Sequence, residues 1–423
     1  MYETLTLDNG TRCVGLNIPD RDSLSLGIWI NVGGRHEPKA KCGISHFLEH
    51  LLFKGTNKRS GEKIKEAIEG RGGSINGFTT EEFTCYLVKV LNKDMDTALD
   101  ILSDMVINPR LSSDDMEKER TVIIEEIKMY KDLPMHYVHE LMVELLWPDQ
   151  PLGKFLAGTV ETVNKIKQRD LRAYKKRFYN PRNTVISACG RMEHRDFFER
   201  CEKYFKKIPS GPKSTFKEAE ENQRRPKFKI LFKETEQTHL SMGTRAFGRT
   251  DPDKHVLSYL HIILGGNMSS RLFRELREKR GLVYEIGTQT KKLQDTGAFV
   301  ISAGLDNKKI LKSIELILKE LKRIKVKSVD KNEFNRTKEF YRGQLLLALE
   351  DTSDHMLWMG EHMITENKIP TPQEILDEIE KVTPDDVTRV ANRVFKDSHL
   401  NLALIGPIKK ADEKAIAEAL TVQ

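Results

Sequence analysis

The sequence contains one strand pattern twice, as Thr184-Val185-Ile186-Ser187-Ala188-Cys189-Gly190 and as Leu400-Asn401-Leu402-Ala403-Leu404-Ile405-Gly406. Each copy is a mainly apolar run that ends in glycine, and an amphipathic helical pattern precedes it, at residues 170–179 and 386–395. The offset between the two copies is constant: the helical patterns start 216 residues apart, at 170 and 386, and the final glycines are also 216 residues apart, at 190 and 406. A constant offset between complete helix–strand units indicates an internal duplication.

A second pair of segments supports the duplication. The strand pattern at residues 83–90, with a helical pattern at 98–106, matches residues 298–305 with a helical pattern at 313–321. Each half therefore combines strands with long helices over roughly 210 residues. We predict an α+β fold of two homologous domains, each a mainly antiparallel sheet packed with long helices.

The join between the halves is a polar segment. It opens at Ile208-Pro209-Ser210-Gly211-Pro212-Lys213 and stays rich in charge up to Arg225-Pro226, a composition typical of an exposed linker. A chain of 423 residues is also too long for one ordinary hydrophobic core. We predict an N-terminal domain over residues 1–210, a linker over 211–228 and a homologous C-terminal domain over 229–423.

The charge balance argues against a nucleic-acid partner. Lys and Arg number 70 against 63 Asp and Glu, so the formal charge of +7 is small beside the total. No run combines aromatic residues with Lys and Arg, and solvated helix faces account for the charges. An RNA-associated protein, the alternative that a basic balance suggests, would have to show salt-dependent binding.

Cysteine usage and hydropathy favour a soluble, cytoplasmic protein. The five cysteines show no C-x-x-C spacing, which fits reduced thiols in a reducing compartment. The N-terminus enters a strand pattern directly, and no window approaches 18 apolar residues. We therefore expect neither a signal sequence nor a membrane partner.

The stretch His46-Phe47-Leu48-Glu49-His50 predicts a metal site. On a helix, positions i and i+4 share one face, so both imidazoles reach the same ion while Glu49 stands beside them. The surrounding residues are apolar, so the polar trio would be buried, and a divalent cation, zinc first, offsets that cost. The alternative is a pair of hydrogen-bonded core histidines with Glu49 as a solubilising residue, but this helix offers no polar face for one.

The second half lacks this motif. Residues 256–266 occupy the corresponding place and contain His261 without a carboxylate. We interpret His261 as a core or capping histidine rather than a ligand. One zinc ion per chain is therefore expected.

A catalytic zinc normally has three protein ligands, so a third donor is needed. A helix with an N-terminal cap at Ser112-Ser113-Asp114-Asp115 carries Glu119 and Glu126, two turns apart on nearly one face, whereas Glu125 is rotated towards solvent. We predict Glu126 as the third ligand and Glu119 as an acceptor that orients a histidine or Glu126. The alternative is that both are surface charges.

Both motifs resemble the signature blocks of the M16 peptidase family, the inverted zincins, as HFLEHLLFKGT at residues 46–56 and ERTVIIEE at residues 119–126. The resemblance covers the whole chain and points to the short-chain bacterial processing-protease branch, similar to the β subunit of mitochondrial processing peptidase. It implies a LuxS/MPP-like metallohydrolase fold and a metalloendopeptidase. It also implies that Glu49 is the general base and that Glu119 supports the site.

Two further pairs of candidate residues come from the same resemblance. The block at residues 265–284 implies that Arg277 and Tyr284 reach the catalytic chamber, although a basic helix followed by a strand would otherwise suggest a purely structural role. Residues 72–80 are similar to the edge strand on which an extended substrate pairs, with Asn76 and Phe78 as candidate contacts. The alternative there is an ordinary hairpin strand with Phe78 in the core.

These features predict a zinc-dependent endopeptidase that cleaves peptides or unfolded polypeptide segments. A two-domain chain of this family is expected to form a homodimer, in which Arg277 and Tyr284 would act within the chain or across the dimer. One departure from the family is Gln150, which stands where relatives commonly have histidine. The alternative function is a noncatalytic M16-like scaffold or assembly subunit, against which the intact metal motif argues.

Overall fold

The computed structural model describes residues 2–420, and it forms two compact units. The first unit comprises Met1–Lys128, Lys154–Lys217 and Leu347–Pro370, and the second comprises Met129–Gly153, Glu218–Leu346 and Thr371–Gln423. The strands are β1 (Glu3–Thr6), β2 (Arg12–Asn17), β3 (Ser23–Ile30), β4 (Ser74–Thr79), β5 (Thr84–Leu91), β6 (Thr184–Gly190), β7 (Lys227–Phe232), β8 (Gln237–Ala246), β9 (Val283–Lys292), β10 (Gly297–Asp306) and β11 (Asn401–Gly406). The helices are α1 (Ile44–Leu52), α2 (Gly61–Glu69), α3 (Met95–Ile107), α4 (Ser113–Asp132), α5 (Pro134–Leu146), α6 (Val160–Lys165), α7 (Gln168–Phe178), α8 (His194–Phe205), α9 (Lys254–Gly265), α10 (Ile310–Val326), α11 (Lys331–Ala348), α12 (Thr352–Glu366), α13 (Pro372–Lys381), α14 (Pro384–Val394) and α15 (Lys410–Ala419).

The first unit is built on a sheet with the strand order β1-β2-β6-β3-β5-β4. Only β2 and β6 run parallel in it, and the other pairs are antiparallel. Alternate residues of β3 face opposite sides: Leu26 and Ile28 join a core formed with α1, α3 and α8, whereas Trp29 faces the other side. The strand β4 lies at the edge of this sheet.

The second unit repeats the plan with the strand order β7-β11-β8-β10-β9. Here β7 and β11 are the parallel pair, and the remaining pairs are antiparallel. Each strand from β7 to β11 occupies the place of a strand of the first sheet. The α+β prediction of two homologous, mainly antiparallel sheets packed with long helices is confirmed.

The elements from which the duplication was inferred form as predicted. The helices α7 and α14 precede the buried strands β6 and β11, and the strands β5 and β10 precede α3 and α10. Both β6 and β11 are buried along their whole length, which explains why their sequences are apolar runs rather than alternating patterns.

Each unit takes one helix from the opposite half of the chain. Met356 and Met359 of α12 pack with Trp29 in the first unit, and Leu141 and Met142 of α5 pack with the second sheet. The predicted boundary after residue 210 groups α5 with the first half, whereas packing groups it with the second sheet. The reason is that each sheet has a second apolar face, and the helix that covers it comes from the other half.

The segment that follows residue 210 is irregular and mostly exposed, yet it is anchored to the first unit. Asn180 and Asn183 both donate to the carbonyl of Pro212. The ring of Phe216 lies 3.6 Å from the guanidinium carbon of Arg35. The predicted linker is therefore fixed at its start by specific contacts.

Among residues 2–420, none of the helices combines the length and apolar character that crossing a bilayer requires.

Candidate functional site

The helix α1 begins at an unusual cap. The chain reaches it through Gly43, whose φ of 92° favours glycine. The two carboxylate oxygens of Glu37 accept hydrogen bonds from the backbone N–H groups of Gly43 and Ser45, at 2.7 and 2.8 Å. Burial nevertheless raises the pKa of Glu37 to about 7. Glu37 thus fixes the start of the helix that carries the metal motif.

His46 and His50 lie one turn apart on α1 and face Glu126 of α4. The Nε2 atom of His46 is 3.8 Å, and that of His50 3.7 Å, from Oε2 of Glu126. The two ring centroids are 4.5 Å apart. The structure therefore brings together the three predicted ligands.

These three residues fit zinc. Their ligand atoms all lie within 4.8 Å of one another, and no other group of three His, Cys, Asp or Glu residues does so among residues 2–420. Distances of 3.7 and 3.8 Å are too long for hydrogen bonds but near the roughly 3.3 Å that separates ligands around a tetrahedral zinc ion. Two imidazoles with one carboxylate are also a donor set found at catalytic zinc.

The protonation of the histidines suits ligation. Burial, together with the neighbouring His50, lowers the pKa of His46 to about 3, so its ring is neutral at physiological pH. Burial also lowers the pKa of His50, but the hydrogen bond to Glu119 and the charges of Glu49 and Glu126 outweigh it and raise the net value. A cation placed between these carboxylates would replace the proton that they favour on His50.

Glu119 orients His50 from behind. Its Oε2 atom is 3.2 Å from Nδ1 of His50, and its Oε1 atom is 2.6 Å from Nζ of Lys54. Burial raises the pKa of Glu119, but the hydrogen bonds from His50 and Lys54 outweigh it and lower the net value. An ionised Glu119 accepts a hydrogen bond from Nδ1–H of His50, so in the neutral ring the lone pair is on Nε2, which is on the side of Glu126.

Glu49 is buried beside the ligands, with 7% of its surface exposed. Its Oε2 atom accepts a hydrogen bond of 2.6 Å from the hydroxyl of Thr79 at the end of β4. Burial raises the pKa of Glu49, against the opposing effects of Thr79 and His50. A carboxyl group with a raised pKa, held next to a metal site, has the properties of a general acid–base.

Glu125 of the first unit and His261 of the second were both expected to lie outside the ligand set. Glu125 is exposed and forms an ion pair with Lys128, in agreement with its predicted solvated position. His261 forms a hydrogen bond of 2.8 Å with the hydroxyl of Thr288, as expected of a satisfied core histidine.

Arg277 and Tyr284 lie together in the second unit. Arg277 belongs to a π-helical turn, Phe273–Glu278, and Tyr284 lies on β9. The guanidinium carbon of Arg277 is 4.9 Å from the ring centroid of Phe273 and 5.2 Å from that of Tyr284. Tyr284 is 72% exposed, so the pair forms a polar surface feature rather than part of the core.

Asn76 and Phe78 lie on the edge strand β4. Asn76 is exposed, and Phe78 is half-buried with its ring against Trp29 and Phe83. Asn76 and Phe78 direct their side chains to one face of the sheet, and Gly77 faces the other. A Cβ atom added to Gly77 would lie 3.0 Å from the ring of Phe53. Any contact of Asn76 and Phe78 with a substrate remains a prediction.

Gln150 has a structural partner. Its amide forms two hydrogen bonds with the backbone of Glu220, donating to the carbonyl at 3.1 Å and accepting from the N–H at 2.8 Å. It therefore holds the chain just beyond the anchored segment.

Sequence reasoning missed Lys54, Thr79 and Glu37. Lys54 follows His50 by four residues and lies in the turn just after α1, so its position in the sequence already pointed to the neighbourhood of His50. Thr79 and Glu37 left no comparable local signal, because their contacts with the helix depend on how the chain folds back.

Comparison with protein families matches residues 12–160 to Insulinase (Peptidase family M16) and residues 165–341 to Peptidase M16 inactive domain. The chain belongs to peptidase family M16. It is 35% identical to the uncharacterised zinc protease YmxG of Bacillus subtilis, over 96% of this chain and 98% of that protein. It is 34% identical to an uncharacterised zinc protease of Streptomyces coelicolor, over 98% of this chain and 92% of that protein.

Two solved structures share the fold. A protease from Helicobacter pylori matches with a TM-score of 0.90 at 22% identity, covering 96% of this chain and all of that one (100%). A peptidase M16 inactive domain from Pseudomonas fluorescens matches with a TM-score of 0.90 at 17% identity, covering 96% and 98%. At these identities the likeness concerns the fold.

Proposed function

We propose that this M16 protein is a zinc-dependent endopeptidase that cleaves peptides or unfolded polypeptide segments. The observation that carries the proposal is the convergence of His46, His50 and Glu126, with the buried carboxylate of Glu49 on the same helix as the two histidines. The names of the curated relatives support zinc and protease activity.

The residues divide the work of hydrolysis between them. His46, His50 and Glu126 would hold a zinc ion, which would supply Lewis acidity to lower the pKa of a bound water and to polarise the scissile carbonyl. Glu49 takes the proton from the attacking water and returns it to the leaving amine nitrogen, a role that its raised pKa suits. Glu119 keeps His50 in the tautomer whose Nε2 atom is free to bind the metal.

The edge of β4 supports recognition of an extended backbone. Among residues 2–420, β5 is the only strand that pairs with β4, so the other side of β4 presents backbone N–H and C=O groups that bond to no strand. A substrate that adds a strand there must itself be extended, which selects unfolded segments over folded ones. Asn76 and Phe78 would modulate side-chain preference.

Arg277 and Tyr284 complete the proposal as binders of the substrate carbonyl or of the charge that develops on its oxygen. Their mutual packing and the exposure of Tyr284 are consistent with a role at a binding surface. We further propose that the protein acts as a homodimer in the cytoplasm.

Cleavage of a mixed library of unstructured peptides by the zinc-loaded protein tests the proposal. Wild type should cleave, a chelator should abolish cleavage, and Glu49→Gln should retain zinc while losing activity by ~10²–10⁴-fold. If wild type binds zinc but shows no chelator-sensitive cleavage of any peptide, the proposed protease activity is contradicted and a noncatalytic subunit is favoured.

A further inference from the structure

The orientation of Glu49 rests on one hydroxyl. Among residues 2–420, the hydroxyl of Thr79 is the only hydrogen-bond donor to this carboxylate, with Oγ1 2.6 Å from Oε2. Tyr86 is a buried neighbour of Glu49, but its hydroxyl is bonded to that of Tyr179 at 2.8 Å. Without Thr79, the terminal torsion of Glu49 would have no hydrogen bond to fix it.

The backbone of Thr79 faces the open edge of β4. The hydrogen bond from Thr80 N to Phe83 O, at 2.8 Å, sets the phase of the antiparallel ladder, in which bonded and non-bonded pairs alternate. Residues 76 and 78 therefore bond to β5, whereas residues 75, 77 and 79 direct their N–H and C=O groups outwards. The N–H of Gly77 agrees with this phase, since it donates to the side-chain oxygen of Asn76.

Thr79 thus contacts Glu49 through its side chain and contributes its backbone to the open edge of β4. Its side chain binds the carboxylate on α1, and its main chain lies on the edge where an added strand would pair. We propose that Thr79 is a positioning residue, whose hydroxyl fixes Glu49 at a set distance from a peptide paired along β4. This inference rests on the proposed protease function.

The hydroxyl should govern turnover rather than peptide affinity, because the edge groups that pair with substrate belong to the backbone. In Thr79→Val, which keeps the branched shape, kcat should fall ~10–100-fold with KM changed less than about threefold. Thr79→Ser keeps the hydroxyl and should restore most of the lost kcat.

Thr84→Val is the matched control. Thr84 is the cross-strand partner of Thr79, and its hydroxyl donates to the carbonyl of Val32 at 2.9 Å rather than to Glu49. This variant deletes a hydroxyl from the same pair of the ladder, so it should keep kcat near the wild-type value. An equal loss of kcat in Thr84→Val would attribute the effect to the hairpin and overturn the inference.

Two binding measurements separate positioning from other roles. Zinc affinity, measured by competition with a chromophoric chelator, should be the same in wild type and Thr79→Val. The Kd of a substrate peptide should differ less than about twofold between Glu49→Gln and the double variant Glu49→Gln/Thr79→Val. A parallel loss of zinc, weaker peptide binding, or failure of Thr79→Ser to recover kcat would each contradict the proposal.

Failure of the inference differs from failure of the proposed function. If wild type cleaves peptides and Thr79→Val turns over at the same rate, Thr79 has no positioning role while the protease assignment stands. If zinc-loaded wild type cleaves no peptide, both ideas are wrong.

Discussion

The ammonium group of Lys54 lies 2.6 Å from Oε1 of Glu119, and the other oxygen of Glu119 contacts His50. Lys54 thus connects to the predicted ligand His50 through Glu119, whose pKa it helps to keep low. Partners of this kind typically affect metal affinity by 10–100-fold when they contact a ligand directly. Lys54 is one contact further out.

We expect Lys54→Met to weaken zinc binding by up to ~10-fold and Glu119→Gln to weaken it by ~10–100-fold. Competition with a chromophoric chelator measures both. Lys58→Met, at an exposed lysine four residues further on, should leave zinc affinity unchanged. Equal affinities for Lys54→Met and Lys58→Met would show that the Lys54–Glu119 pair is irrelevant to the metal.

Neighbouring glutamates on α4 provide an internal comparison for the third ligand. Glu126→Gln should abolish stoichiometric zinc binding, because an amide is a poor replacement for a carboxylate ligand. Glu125→Gln changes an exposed carboxylate paired with Lys128 and should bind zinc like wild type. Metal content after dialysis distinguishes them, and retention of zinc by Glu126→Gln would remove Glu126 from the ligand set.

Glu37 should make stability depend on pH in a direction opposite to that of a salt-bridged acid. Its pKa is raised to about 7, so between pH 4.5 and 7 the folded protein holds a proton that the unfolded chain releases. The contribution of Glu37 to the free energy of unfolding is therefore present at low pH and is lost as pH rises through about 7. The difference in unfolding free energy between wild type and Glu37→Gln should fall by up to about 3 kcal/mol from pH 4.5 to 8.

Denaturant unfolding of the zinc-free protein at both pH values measures this difference. Glu62→Gln is the control, because Glu62 is a carboxylate at the start of a helix, in the first turn of α2, but is exposed. A difference for Glu37→Gln that rises with pH would mean that the capping hydrogen bonds outweigh burial.

Arg277 and Tyr284 allow a test of the homodimer by mixing. Glu49→Gln lacks the base, and Tyr284→Phe lacks the phenol hydroxyl, so each variant alone should be impaired. If the two residues act across a dimer, a mixture should regain activity, up to about one quarter of wild type for random reassortment. No recovery after confirmed subunit exchange would place both residues within one chain or outside catalysis.

The sequence was most informative where chemistry and helical spacing coincide. His46 and His50 are one turn apart, and Glu126 stands on a helix whose cap was recognisable, so the donor set could be predicted before any fold was known. The contacts of Thr79 and Glu37 with α1 could not, because a single threonine or glutamate in a loop or strand has many possible partners. Local patterns specify faces, whereas tertiary packing decides which faces meet.

The same limit applies to α5 and α12. Each has an apolar face that sequence can reveal, but nothing in the local pattern tells which sheet that face covers. Phe78 is a similar case, since its ring packs against Trp29 while its strand remains at an edge.

The position of α12 also affects how the protein is made. Gly360 allows this helix to approach Trp29 so closely that an added Cβ atom would lie 2.1 Å from the indole. Until α12 leaves the ribosome, the face of the first sheet around Trp29 lacks its cover, although every strand of that sheet has already been synthesised. The nascent chain therefore exposes this apolar face from the synthesis of β6 until that of α12, and an N-terminal half expressed alone would lack the helix that covers it.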